Sequence, residues 1–445
     1  MARFGTIDKA GGTGRAGVRN AMMRNGVVAA LDIGSSKVAC FIAQVGGQGP
    51  AARLSGSGPL PIQVVGIGHQ MCQGMRSGTV VDMDATAAAI RMAVENAERM
   101  SAEKIDRVVV NLSAGKVASH AVAVEVEVAG HDITDMDLAR VIRAARAKAR
   151  PEGRDIIHAI PTGYTIDGQA GIRDPRGMFG EKLGVGLHVV TANPAPMRNL
   201  VSAVDLAHLK ISGIATSAYA SGLGTLVEDE MDLGVTCIDM GGGTTSIAVF
   251  FEGSLVYTDV VPIGGNHVTS DIAHGLRTPL IAAERMKTLF GSATAGPEDH
   301  RDMIDVPQIG DDGGAGTYHI QRSMLAGVIA PRIEETFEMV RDRMRAAGID
   351  RLAGRSVVLT GGASQLAGVS EIAERVLGKQ IRLGRPVRLT GLAEATGGPA
   401  FATCAGLLAY AVNGPLEAVE REVEADAAPA RGGIGRIVGW LRENF

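Results

Sequence analysis

Val235-Thr236-Cys237-Ile238-Asp239-Met240-Gly241-Gly242-Gly243-Thr244-Thr245, continued by Ile247-Ala248-Val249-Phe250-Phe251, is the stretch that decides the fold. An apolar run closes on an aspartate, a small polar turn follows, and a second apolar run leaves it: strand, turn, strand. The arrangement already stands 207 residues earlier. Val27-Val28-Ala29-Ala30-Leu31 runs into Asp32-Ile33-Gly34-Ser35-Ser36 and out through Val38-Ala39-Cys40-Phe41-Ile42. In both copies a glycine stands two residues after the aspartate. The separation is too long for a solenoid repeat and suits two similar domains. A third apolar strand, Ser356-Val357-Val358-Leu359-Thr360, runs into Gly361-Gly362-Ala363-Ser364.

Outward from these turns, alternation and apolar runs predict strands over 63–67, 108–112, 121–128, 156–165 and 187–191. Helical spacing covers 85–100, 133–149 (entered through Thr134), a mixed region 268–287 and a long pattern 322–347. Residues 291–316 are expected as a Gly/Asp-rich loop. Residues 1–25 carry Arg3, Lys9, Arg15, Arg19 and Arg24 against Asp8 and read as a disordered basic arm. Residues 414–432 are expected as a flexible acidic linker, with Glu417, Glu420, Glu422, Glu424 and Asp426.

Composition bounds the function classes. A chain of 445 residues suggests about three domain-sized units. Its 46% hydrophobic and 21% charged residues are ordinary for a globular protein. A net charge of −4 and 3% aromatics give neither the basic field nor the stacking platforms expected of a nucleic-acid binder, so no nucleic acid is expected as partner. Cys40, Cys72, Cys237 and Cys404 are scattered without C-x-x-C spacing and read as reduced thiols in a cytoplasmic protein. No apolar run reaches the 18 or so residues of a spanning helix, and no signal peptide is expected.

A phosphate needs several N–H donors converging on its oxygens, and small turn residues let the backbone come close. Gly34-Ser35-Ser36 and Gly241-Gly242-Gly243-Thr244 supply two such turns, and Lys37 adds a charge. Asp32 and Asp239, at strand ends, suit a Mg²⁺ ion that keeps most of its waters. Neither turn is a G-x-x-x-x-G-K-[ST] loop or a G-x-G-x-x-G opening a helix. The bare backbone of Gly361, Gly362 and Ala363 offers a flat face to a base or ribose.

Two phosphate hairpins and a late Gly-Gly turn, in this order, resemble the actin, Hsp70 and sugar-kinase superfamily of ATP-binding proteins. The resemblance implies an α/β fold of two lobes, each a ribonuclease-H-like domain, that clasp ATP and Mg²⁺. Glu284 and Lys287 match the E-x-x-K helix that contacts the ribose in the chaperone branch; the same pair also reads as an exposed salt-bridged helix face. From Val27 to Phe445 the chain is similar to the FtsA family of bacterial cell-division proteins. The similarity rests on the first hairpin with Lys37, on Pro262-Ile263-Gly264-Gly265-Asn266-His267, on the turn at 359–366, and on Ile160-Pro161-Thr162-Gly163-Tyr164. The extended basic arm and a Gly/Asp-rich loop at 309–316 depart from the family pattern.

That resemblance implies subdomain 1A over 26–104 and 191–230, an inserted subdomain 1C over 105–190, 2A over 231–265 and 336–413, and 2B over 266–335. It also implies assembly into actin-like filaments, recruitment of the tubulin-like FtsZ near Arg332 and Glu335, and later division proteins docking through 1C. Arg332 and Glu335 equally suit a helical i,i+3 ion pair.

Beyond the linker, residues 433–445 form an expected amphipathic helix. Ile434, Ile437, Val438, Leu441 and Phe445 share one face, and Trp440 sits at its edge. Twelve or so residues cannot cross a bilayer but can lie in its interface. The family resemblance implies that this surface is the inner face of the cytoplasmic membrane, at the division site. Packing on the protein's own surface is the alternative. Burying four or five such side chains partway contributes on the order of 5 kcal/mol, a reversible anchor that a row of subunits strengthens. Slow ATP hydrolysis fits this picture, although no residue marks itself as the base. The rival is a sugar-kinase-type phosphotransferase, which needs an aspartate base and a polar substrate pocket.

Overall fold

The computed structural model describes residues 26–46, 61–149, 152–309 and 317–413. The expected arm 1–25, the linker 414–432, the amphipathic helix 433–445 with its membrane-facing side chains, and most of the loop at 309–316 lie outside the described residues.

The first glycine turn joins β1 (Val27–Ile33) to β2 (Lys37–Val45), paired antiparallel with Asp32 opposite Ala39. β3 (Ile62–Met71) continues the meander. The two-residue strands β4 (Met75–Arg76) and β5 (Thr79–Val80) lead into α1 (Met83–Ser101), capped by Asp82, whose carboxylate accepts from the Ala85 N–H. β6 (Arg107–Leu112) then returns parallel to β1.

An inserted unit follows. β7 (Ala118–Asp132), α2 (Asp135–Ala149), β8 (Asp155–Ile166), β9 (Gln169–Ile172) and β10 (Phe179–Ala192) build a four-stranded antiparallel sheet ordered β7-β10-β8-β9. Leu138, Val141 and Ala145 of α2 bury their apolar stripe against Leu183, Val185 and Leu187 of β10. The chain rejoins the first lobe through α3 (Pro194–Leu206) and β11 (Lys210–Thr216), parallel to β6, before α4 (Ser217–Thr225) and the short α5 (Glu228–Leu233).

The second lobe repeats the plan. β12 (Val235–Met240), β13 (Thr245–Phe251) and β14 (Ser254–Val261) form an antiparallel meander. After α6 (Gly265–Leu276), α7 (Leu280–Phe290), the ribbon β15 (Met303–Pro307)–β16 (Thr317–Gln321) and the long α8 (Arg322–Ala346), β17 (Ser356–Thr360) joins parallel to β12. α9 (Val369–Leu377), β18 (Gln380–Leu383), β19 (Leu389–Thr390) and α10 (Ala402–Asn413) complete the described chain. The sheets are ordered β11-β6-β1-β2-β3-β19 and β14-β13-β12-β17-β18. Both contain three antiparallel strands followed by two parallel ones, the duplication that the two turns announced, and the first sheet adds β19 beside β3.

Sheet membership moves several expected boundaries. Residue 105 is too early for the insertion, because β6 is an inner strand of the first sheet, with Val108, Val109 and Val110 fully buried. Residues 336–413 do not all stay in the second lobe: β19 pairs with β3, and α10 packs on β1, β2 and β6. Conversely, α4 leaves the first lobe and lies on β12 and β13. The expected 335/336 boundary falls inside α8. The loop expected at 291–316 contains β15, where Ile304 and Val306 alternate inward.

The two exchanged helices cross in backbone contact. A Cβ on Gly406 would stand 1.6 Å from the Ala220 carbonyl oxygen, and one on Gly224 would stand 2.5 Å from that of Ala402. A side chain at either position must push helix backbone aside, and at Gly406 there is no room for one.

Candidate functional site: a cleft between paired glycine turns

The ends of β1 and β12 bring Asp32 and Asp239 to one cavity of about 660 Å³. It is lined by both glycine turns, by Glu284 and Lys287, and by Gly361, Gly362 and Ala363. All the residues expected to bind nucleotide or metal therefore gather in one place. Each turn closes in the same way. Gly34 N–H donates to Lys37 O at 3.0 Å, and Gly241 N–H donates to Thr244 O at 2.9 Å.

The turns face each other at close range. A Cβ on Gly242 would fall 2.0 Å from Ser36 Oγ, and one on Gly243 would fall 2.4 Å from Ser35 Oγ. Ser36 Oγ also donates to Asn266 Oδ1 at 3.0 Å, tying the first turn to α6 of the other lobe.

Both carboxylates are buried, but they are held differently. Asn111, on β6, donates to Asp32 Oδ1 at 2.7 Å and to Ser217 Oγ at 3.1 Å, while its own oxygen accepts the Ile33 N–H. Asp239 Oδ2 instead accepts two hydroxyls, Ser221 at 2.7 Å and Thr403 at 2.9 Å. Burial first, and the Asp239 charge second, push the Asp32 carboxyl up to about 7; Lys37 opposes them. Burial also raises Asp239, against the two hydroxyls and Lys37. Lys37 reaches the cavity wall with its ammonium 3.4 Å from the centroid of the Phe401 ring. Burial holds that ammonium below its ordinary value, with Asp32 the main opposing influence.

Across the cavity, Glu284 Oε2 accepts from Thr269 Oγ1 at 2.5 Å and from Lys287 Nζ at 2.7 Å, and Lys287 also donates to Gly265 O at 3.2 Å. The E-x-x-K pair is thus both a salt bridge and a wall of the cleft. Arg332 lies on α8, between Glu335 of the same helix and Asp271 of α6. It makes a two-pronged bond to Asp271 at 2.6 and 3.0 Å and a third to Glu335. Among the described residues no group of three or more His, Cys, Asp or Glu side chains forms a metal cage. None of their helices is long and apolar enough to cross a membrane.

Sequence reasoning missed Asn111, Ser217, Ser221, Asn266 and Thr403. Asn111 had a signal, a polar residue inside the apolar run 108–112. The hydroxyls of Ser221 and Thr403, on Ala/Gly-rich helices, had none.

Comparison with known proteins agrees with this geometry. A family model described as "Cell division protein FtsA" matches residues 236–406, and one described as "SHS2 domain inserted in FTSA" matches 114–191, where the inserted sheet lies. Cell division protein FtsA of Agrobacterium fabrum is 42% identical over 95% of this chain and 96% of its own. Those of Rhizobium meliloti (43%, 95% and 96%) and Escherichia coli K12 (33%, 94% and 98%) match over similar spans. Among solved structures, the PilM-PilN type IV pilus biogenesis complex superposes with a TM-score of 0.59 at 19% identity, over 86% of this chain and 98% of that one. MreB 5 of Spiroplasma citri bound to AMPPNP gives 0.51 at 14% identity, over 91% and 100%. The paired lobes, the insertion at its expected place and this near full-length identity leave one conclusion: the chain belongs to the FtsA family of cell-division proteins, built on an actin-like fold.

Proposed function

We propose that the cleft binds Mg²⁺-ATP and that the chain works as an adaptor, holding FtsZ at the cytoplasmic membrane. The observation that carries the nucleotide reading is the pair of identically closed glycine turns facing each other beside two buried carboxylates. The residues present fit the ligand. The cavity is within the usual range for a small-molecule site. Two buried carboxylates whose proton affinities are both raised, one of them partly by the other's charge, are a pair that a divalent cation stabilises. Asp32 and Asp239 would hold Mg²⁺ through its waters, the two turns and Lys37 the phosphates, Glu284 and Lys287 the ribose, and Gly361, Gly362 and Ala363 the base. The cation supplies charge neutralisation at the phosphates. A protein of the same fold, MreB 5 of Spiroplasma citri, is bound to AMPPNP, which is in keeping with a nucleotide as the ligand.

Nucleotide closes the lobes, closed subunits assemble as actin-like filaments, and residues 433–445 hold them on lipid. FtsZ docks on the outer part of the second lobe, where Arg332 and Glu335 are partly exposed, and later division proteins dock on the inserted sheet. Liposome sedimentation with Mg²⁺-ATP and purified FtsZ tests this reading. The full chain is expected to carry FtsZ into the pellet, and deletion of 433–445 to leave both in the supernatant. Pelleting without the tail would overturn the membrane assignment. Rapid ATP consumption on any small sugar would overturn the adaptor reading in favour of a phosphotransferase.

A further inference from the structure

Asp239 is the only one of the two cleft carboxylates tied to both exchanged helices. Ser221 belongs to α4, which lies on the second sheet, and Thr403 belongs to α10, which lies on the first. Their hydroxyls meet at 2.9 Å and both bond Asp239 Oδ2. Ser221 is fully buried, and Thr403 and Asp239 are nearly so. The other oxygen, Oδ1, stands beside Gly361, where a Cβ would come within 2.3 Å of it. One turn away along each helix, Gly224 and Gly406 set the two backbones in contact. Because α4 lies on one sheet and α10 on the other, a rotation of one lobe against the other would move Ser221 relative to Thr403. A hydrogen bond weakens within a few tenths of an ångström of stretch or a few tens of degrees of bend, so such a rotation loosens the hold on Oδ2.

Asp32 has no such tie. Its donor, Asn111, sits on an inner strand of the first sheet and reaches only the start of α4.

We propose that Ser221 and Thr403 are positioning residues: together they aim Asp239 at the cation of bound Mg²⁺-ATP and make that aim depend on the crossing of α4 and α10. Cation binding and lobe closure are then one event, sensed where two hydroxyls, one from each helix, meet on a single carboxylate oxygen. The inference rests on the nucleotide reading and extends it, since it predicts which part of the affinity the two hydroxyls control. By reciprocity, a cation that prefers the well-aimed carboxylate favours the closed crossing.

The test is the ratio of ATP dissociation constants in EDTA and in saturating Mg²⁺, measured by calorimetry on the full chain and on Ser221→Ala, Thr403→Val and Thr403→Ser. In wild type the cation is expected to tighten ATP strongly. In Ser221→Ala and Thr403→Val the ratio is expected to fall at least about fivefold, and Thr403→Ser, which keeps the hydroxyl, to restore it. Hydrogen exchange of α4 and α10 amides is expected to slow on adding Mg²⁺-ATP to wild type and to stay unchanged in Thr403→Val. A role confined to packing would instead lower the melting temperature and leave the ratio alone. Wild-type tightening retained in both Ser221→Ala and Thr403→Val overturns the proposal while leaving the nucleotide site standing. Wild type that binds no ATP in either condition overturns both. If Thr403→Val does not fold, Thr403→Ala against Thr403→Ser isolates the same hydroxyl.

Discussion

The first and second glycine turns are closed by the same bond, three residues apart, yet the aspartates behind them are held by different chemistry. The first half uses an amide on a rigid strand, Asn111, and leaves Asp32 with a raised proton affinity. The second uses two hydroxyls on helices that have changed lobes. Duplication supplied two equivalent cradles, and the exchange of helices then made them unequal. Loop geometry was kept where a phosphate would read it. The support differs where α4 and α10 cross.

The sharpest way to break this comparison is at the helix crossing. Gly406→Val places a side chain 1.6 Å or so from a backbone oxygen that cannot retreat, and is expected to cost about 4 kcal/mol or more, leaving little folded protein on a thermal melt. Gly224→Ala, with more room, is expected to melt lower than wild type but to stay folded.

If the two cradles act on one ligand, Asp32→Ala in the first and Gly242→Val in the second should each reduce ATP affinity at least about a hundredfold by calorimetry. Full retention in either would mean that only one half binds.

Titration follows the first carboxylate. The folded Asp32 value of about 7 lies above the ~3.9 of an unfolded chain, so between these values the folded protein holds a proton that the unfolded chain has released. Its stabilising contribution is complete below about pH 4 and gone above about pH 7, at most about 4 kcal/mol across that window. The melting temperature without nucleotide should therefore fall more steeply from pH 5 to 7.5 in wild type than in Asp32→Asn.

Smaller still, Asn111→Ala leaves a buried carboxyl without its donor and should cost about 1–3 kcal/mol by denaturant melt, while Ser217→Ala costs less. Arg332→Ala, which breaks a partly exposed pair, should cost no more than about 1 kcal/mol. If FtsZ docks there, it should weaken FtsZ co-sedimentation far more than that stability change accounts for.

Much of the site was legible because its chemistry is local. Asp32 with Gly34, Asp239 with Gly241, and Gly361 with Gly362 are each set by a strand end and the turn beside it, and a turn's residues are neighbours in the chain. The α2 entry at Thr134 was legible for the same reason: its backbone N–H and its hydroxyl both reach Asp137, three residues on. What stayed hidden depends on long-range placement. The Ala- and Gly-rich patterns of α4 and α10 mark buried helices without saying which sheet each covers. Nothing near Lys37 in sequence points to Phe401 as the ring beneath its ammonium. β15 carried a readable alternation at Ile304 and Val306, but the glycines and aspartates flanking it diluted the pattern.

The exchange of α4 and α10 makes the protein indivisible. A single cut between Leu233 and Val235 would seem to part the molecule at its natural seam, yet each fragment would leave behind the helix that roofs its own sheet. Such pieces, made apart, would each bare an apolar floor to water. Made together, they would have to interlock as they fold, each finishing the other.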